Sequence, residues 1–167
     1  LQAAEVLRRQ LFAFCMDDWV SSLGNPALLP EKTSPVLDAV EQTRQDRFPY
    51  VFCEHVLKHE QRLFDAFIEL LGQDVDDVVR GRLLDYMQGQ GDVDGLRSRL
   101  LKTLQELVDE RRSYKARKDE LDKAKAKAQQ KPQDEATRKE IEGLERERGK
   151  MLELIAEING RDLLGTL

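Results

Sequence analysis

The chain has 167 residues, 40% hydrophobic and 35% charged, with a formal net charge of -5. That length suits one domain or a domain with an extension, and the apolar share is enough for a core. Sparse aromatics, few glycines and few prolines favour a helical protein, while the lack of a long apolar run or a signal-peptide pattern argues against membrane insertion and secretion. A cytoplasmic location is expected.

The first residue is Leu1, and the chain closes on the apolar "NGRDLLGTL". Both ends lead us to expect a piece of something larger. Residues 2–23 read as a first helix, with Leu7, Leu11, Phe14, Cys15, Trp19 and Leu23 at helical spacing and Gly24-Asn25-Pro26 as the stop. Ser34 is the expected cap of a second helix with Pro35 at its first position, running to about Arg47. A third helix is predicted over about 50–72, with a broad apolar face including Phe52, Val56, Leu63, Phe64 and Phe67. Asp74 is the expected cap of a short helix over about 75–89, and "GQGDVDG" (residues 89–95) reads as a hinge-like joint. Residues 1–95 are thus predicted to form a small helical bundle.

From Leu96 the pattern changes. Leu96, Leu100, Leu104, Leu107, Tyr114 and Leu121 form one seam of three- and four-residue steps, with Arg111 and Lys118 in the slots between. After Pro132 a second seam runs through Ile141, Leu144, Met151, Ile155 and Ile158, interrupted by Arg148. Spacing near 3.5 is the coiled-coil signature. Folding the chain at Pro132-Gln133 sets Leu121 opposite Leu144, Tyr114 beside Met151 and Leu107 beside Ile158. One register aligns both arms, which neither a disordered tail nor a continuous helix requires. Pro132 also makes an unbroken helix costly, by roughly 3 kcal/mol. The predicted architecture is therefore all-α: a bundle, an antiparallel coiled-coil hairpin over 96–160 with its turn near 131–134 and Asp134 capping the returning arm, and the start of a following element at 161–167. The Ala/Lys-rich tip has little to bury, so we expect it to be mobile.

Charge is uneven along the chain. Residues 111–131 hold nine basic and three acidic side chains, whereas 1–110 are strongly acidic. A polyanion would go to the basic segment. Arg111, Arg112, Lys115, Arg117, Lys118, Lys123 and Lys125 are the candidate nucleic-acid contacts; they surround the helix instead of forming one stripe, and Tyr114 faces the seam. Any nucleic-acid role would then be phosphate contact with little sequence reading. The competing interpretation is a solvated arm whose bases pair with the glutamates opposite.

Other constellations are weaker. His55 and His59 share a helix face at HxxxH spacing, but the zincin glutamate is missing and no further Cys/His cluster completes a site. Asp17-Asp18 and the acids around Asp74 read as ordinary helix carboxylates. Cys15 and Cys53 read as small buried hydrophobes, with a disulfide left open. No phosphate-cradling GxxxxGK[ST], GxGxxG or GxSxG motif is present. No catalytic residue, metal ligand or cofactor is assigned to this chain.

Two stretches carry a resemblance. "AAEVLRRQLFAFCMDDWV" (residues 3–20) and "LIAEINGRDLLGTL" (residues 154–167) resemble segments of large bacterial DEAD/DEAH-box DNA helicases with a C-terminal cysteine-cluster domain, which act in DNA repair and phage defence. The resemblance implies an accessory helical region outside the nucleotide-binding motor. ATP and Mg would belong to the parent helicase, and DNA, neighbouring domains or a protein partner would meet the hairpin. The alternative is a stand-alone protein–protein interaction or oligomerisation module.

Overall fold

The computed structural model describes residues 2–24, 28–72, 75–90 and 94–167. Its helices are α1 (Gln2–Ser22), α2 (Thr33–Glu41), α3 (Tyr50–Lys58), α4 (Glu60–Leu71), α5 (Asp77–Gln88), α6 (Leu96–Gln129), α7 (Glu135–Gly160) and α8 (Leu163–Thr166). The fold is all-α: among the described residues the only strand-like feature is an isolated antiparallel bridge between Lys32 and Asp162. Among them, no helix is long and apolar enough to cross a membrane.

The core grows from the apolar faces of α1, α3 and α4. Leu11, Cys15 and Trp19 of α1 are buried with Phe52 and Val56 of α3 and Leu63, Phe64 and Phe67 of α4. Phe48, in the connection before α3, is part of this core: its ring lies 5.5 Å from Trp19 and 6.0 Å from Phe52, within the range of favourable aromatic pairs. The expected stop after α1 falls partly on Asn25 and Pro26, outside the described residues. So does Asp74. The cap of α5 is Asp76, whose Oδ1 accepts from the Val79 N–H at 2.8 Å. Gly89 ends α5 in the left-handed conformation, φ 71° and ψ 37°.

The structure corrects the second helix at both ends and divides the third. The second helix begins at Thr33, without a side-chain cap, because Thr33 is engaged by the far end of the chain. Its N–H donates to Arg161 O at 3.1 Å, and its hydroxyl donates to Ile158 O. Ser34 therefore lies inside the helix. The same helix ends at Glu41, short of Arg47, because Thr43 turns to φ 51°. There the Arg44 N–H donates to Ala39 O (2.9 Å) and the Thr43 N–H to Val40 O (3.2 Å), the bond pair of a Schellman stop. The predicted third helix is two helices, α3 and α4, broken at His59 (φ -111°, ψ 20°). The break coincides with the docking of both onto α1: His55 from α3 and Arg62 from α4 bond the same Asp18 carboxylate.

α6 and α7 pack together as an antiparallel hairpin. At its tip Asp134 caps α7, its Oδ1 accepting from the Thr137 N–H at 2.8 Å. The Gln133 amide donates to Ala128 O and Lys131 O and closes the bend. Ala128 and Thr137, equidistant from the bend, are both buried. Leu107, Leu121 and Ile158 are buried along the arms; Tyr114, Leu144 and Met151 are half-buried. The base of the hairpin belongs to the bundle's own core, since Leu96, Leu100, Leu104, Val108 and Ile158 join the same apolar cluster as Trp19 and Phe52. Leu163 of α8 is fully buried there too, and its N–H donates to Glu31 O at 2.8 Å.

Candidate functional site

The hairpin carries most of the candidate contact residues, and its root is built on Arg111. This side chain is 1% exposed. The seam slot it occupies on α6 faces α2 as well as α7. Its NH1 donates to Asn159 Oδ1 at 2.9 Å; its NH2 donates to Asp38 Oδ1 at 2.9 Å and Glu41 Oε1 at 3.0 Å. One guanidinium thus ties both arms to the bundle. Its Nε is buried without an acceptor. Arg111 is consequently no phosphate contact: a guanidinium enclosed by two carboxylates and a core cannot reach a polyanion.

The other six candidates divide by their partners. Arg117 NH2 lies 2.7 Å from Glu147 and its NH1 3.2 Å from Glu120. Lys125 lies 3.0 Å from Glu145. Lys118, 3.1 Å from Asp122, shares that carboxylate with Arg148, whose Nε is 2.5 Å away. The two seam cations predicted to interrupt the apolar ladder therefore share one acid, with Asp119 a second counter-charge 3.8 Å from Lys118, and hydrogen bonds from Lys118 and then Arg148 hold the Asp122 carboxyl below its usual value. Arg112, Lys115 and Lys123 are exposed and make no ion pair among the described residues. Tyr114 is half-buried along the seam and donates its hydroxyl to Glu110 Oε1 at 2.7 Å.

A second polar cluster joins α1, α3 and α4. Arg62 donates to both oxygens of Asp18 (3.1 and 3.0 Å), and His55 Nε2 donates to Asp18 Oδ2 at 2.8 Å. The Arg62 fork holds the Asp18 carboxyl down to about 2, with His55 adding to it. The His59 ring lies 4.7 Å from that of His55. Burial and the neighbouring His55, Arg62 and Lys58 charges push His59 below the ordinary histidine value. His55 is thus engaged by a carboxylate, and among the described residues no three His, Cys, Asp or Glu side chains converge as metal ligands do. Cys15 and Cys53 are free thiols; burial pushes them to about 12 and about 11, which keeps them protonated and poorly nucleophilic.

No family model matches the chain, and neither a curated protein nor a solved structure does.

Proposed function

We propose that this chain is a non-catalytic helical accessory domain of a larger ATP-dependent DNA helicase, working in the cytoplasm and using the hairpin to touch DNA or a neighbouring domain. The observation that carries the DNA contact is the placement of Arg112, Lys115 and Lys123: three exposed cations, without ion pairs among the described residues, on an arm whose base is locked into the bundle. A rigid root lets a weak contact at the arm orient the body behind it. Contact of this kind is with phosphates, so affinity should fall steeply with salt. The test is anisotropy of a short labelled duplex with the purified chain at low salt. Reversing Arg112, Lys115 and Lys123 together to Glu should weaken binding by roughly tenfold or more and flatten its salt dependence. Salt-sensitive binding that survives this triple reversal would remove the arm from the mechanism.

Docking onto protein is favoured by a different observation. Arg117, Lys118 and Lys125 spend their charge within the hairpin, on Glu147, Asp122 and Glu145. In this reading the hairpin is a spacer. Deleting residues 118–124 and 142–148 removes one heptad from each arm, keeps both seams in phase and shortens the reach by about 10 Å. A docking hairpin loses its partner or its self-association on this change while the bundle stays folded. DNA contact at Arg112 and Lys115, below the deletion, should survive, weakened only by the loss of Lys123.

A further inference from the structure

A groove of about 530 Å³ runs between α1 and the first two turns of α6, away from the hairpin's charged arm. Its α1 wall extends from Glu5 to Asp17, about 18 Å at 1.5 Å per residue. Phe12, Met16, Leu100 and Leu167 give it an apolar lining. Apolar surface continues onto its edges. Leu164 lines the mouth and is 60% exposed, and Val6, in helical phase with the lining residues Ala13 and Asp17, is 50% exposed.

One end of this groove is cationic. Arg8, Arg9 and Arg99 all line it. Arg8 and Arg99 lie over the Tyr86 ring at 5.8 and 5.7 Å, which fixes both guanidiniums in place. Glu5 is shared between them, 3.6 Å from Arg8 and 3.2 Å from Arg99. Arg9 is exposed and has no ion pair among the described residues. Three guanidiniums thus face a single carboxylate, leaving positive charge uncompensated beside an apolar trough. Asp17 sits at the opposite end.

We infer that this groove docks an amphipathic helix of a partner polypeptide, apolar face inward, with acidic side chains at the Arg8–Arg9–Arg99 end. Helix-in-groove binding needs apolar anchors at i, i+3, i+4 and i+7, and a trough of this length accommodates about three turns. The exposed rim favours a helix over a thin small-molecule amphiphile, because only a wide ligand covers Leu164 and Val6 as well as the floor. Pre-set guanidiniums add direction: they accept carboxylates without a further ordering cost.

The test uses the full chain and two labelled synthetic peptides with the same leucine spacing. One carries a pair of glutamates at its N-terminal end, the other a pair of lysines. Anisotropy should show the acidic peptide binding at least roughly tenfold more tightly at low salt. Arg9→Glu should abolish that preference, and Leu164→Ser should weaken the acidic peptide roughly fivefold or more. Both positions are exposed, so helicity at 222 nm and the melting temperature should be unchanged. Equal affinity for the two peptides overturns the proposal. So does absence of binding by the acidic peptide, or binding indifferent to both substitutions. Dodecanoate that competes with the peptide and binds as tightly, with the same Arg9 dependence, would mark a small-ligand site instead and also overturn it.

Discussion

Arg111 and its carboxylate partners should respond unequally to removal. The guanidinium is almost fully enclosed, whereas the side chains of Asp38 and Glu41 are 55% and 27% exposed. Replacing both acids by their amides, Asp38→Asn with Glu41→Gln, leaves a buried cation with no counter-charge. Stranding one member of a buried pair costs about 3–5 kcal/mol. Arg111→Met does the reverse. It removes the charge with the costliest desolvation, fills much of the same volume, and leaves two acids that water can reach; a change of about 0–2 kcal/mol is expected. For a chain of this size, 1 kcal/mol shifts the melting temperature by about 2–4 °C. The double amide variant should therefore melt about 6–20 °C lower, and Arg111→Met within about 8 °C of the parent. Urea titration followed at 222 nm measures both at equilibrium. If Arg111→Met proves the more damaging, burial is not what makes this node expensive and the reasoning fails.

Three further outcomes follow from backbone and charge. Thr43→Gly should stabilise by about 0.5–1 kcal/mol, because a β-branched residue at φ 51° pays a strain that glycine avoids at modest entropic cost; a rise in the urea midpoint at constant slope checks it. Gly95→Ala should destabilise by about 1–3 kcal/mol, since its Cβ would stand 2.4 Å from Gly89 Cα and the neighbour is backbone that cannot swing aside; a second variant, Gly149→Ala, has open space at its Cβ and should stabilise α7 slightly. Acid should weaken the α1–α3–α4 junction in two steps. His59 has a folded value below its unfolded 6.5, so its contribution is full above about pH 6.5 and is lost as pH falls through the folded value. Asp18, held at about 2 against 3.8, contributes above about pH 4 and loses that contribution between about pH 4 and 2; screening at the exposed Arg62 limits this to roughly 1 kcal/mol. Asp18→Asn should flatten the lower limb and His59→Gln the upper one, read from stability at a series of pH values.

The hairpin was legible in the sequence because its signal is periodic and doubled. Each arm carries its own seam, and Pro132 and Asp134 mark the bend. The bundle was less legible wherever a distant residue set a local boundary. Nothing around Thr33 announces that Arg161 O and Ile158 O will hold it, so the local preference for Ser34 as a cap misplaced the helix start. Thr43 is a poor residue for a left-handed stop, and only the structure shows one there. His59 breaks a segment with continuous apolar periodicity, and nothing in its local sequence announces the break. The candidate site shows the same division. Exposed cations can be read from composition, but which ones are spent internally depends on the partner arm.

Arg111 is the instructive case, because its sequence signal was present and pointed two ways. As one of nine basic residues in a short segment it reads as a phosphate contact. As a cation in a seam slot it must instead be buried, and a buried cation needs partners. The seam supplies one polar partner across the hairpin, Asn159; the charges come from α2, an element more than sixty residues away in sequence. Position in the periodic pattern therefore outranks composition when the two conflict. Lys118 and Arg148 obey the same rule one heptad further out, where Asp122 within the hairpin suffices because the layer is half-exposed. Two polar layers along one seam give the arms a register that uniform leucines would leave free to slip. The inner layer adds what the outer cannot: by reaching α2 it fixes the direction in which the hairpin leaves the bundle, which is the property a docking or DNA-touching arm depends on.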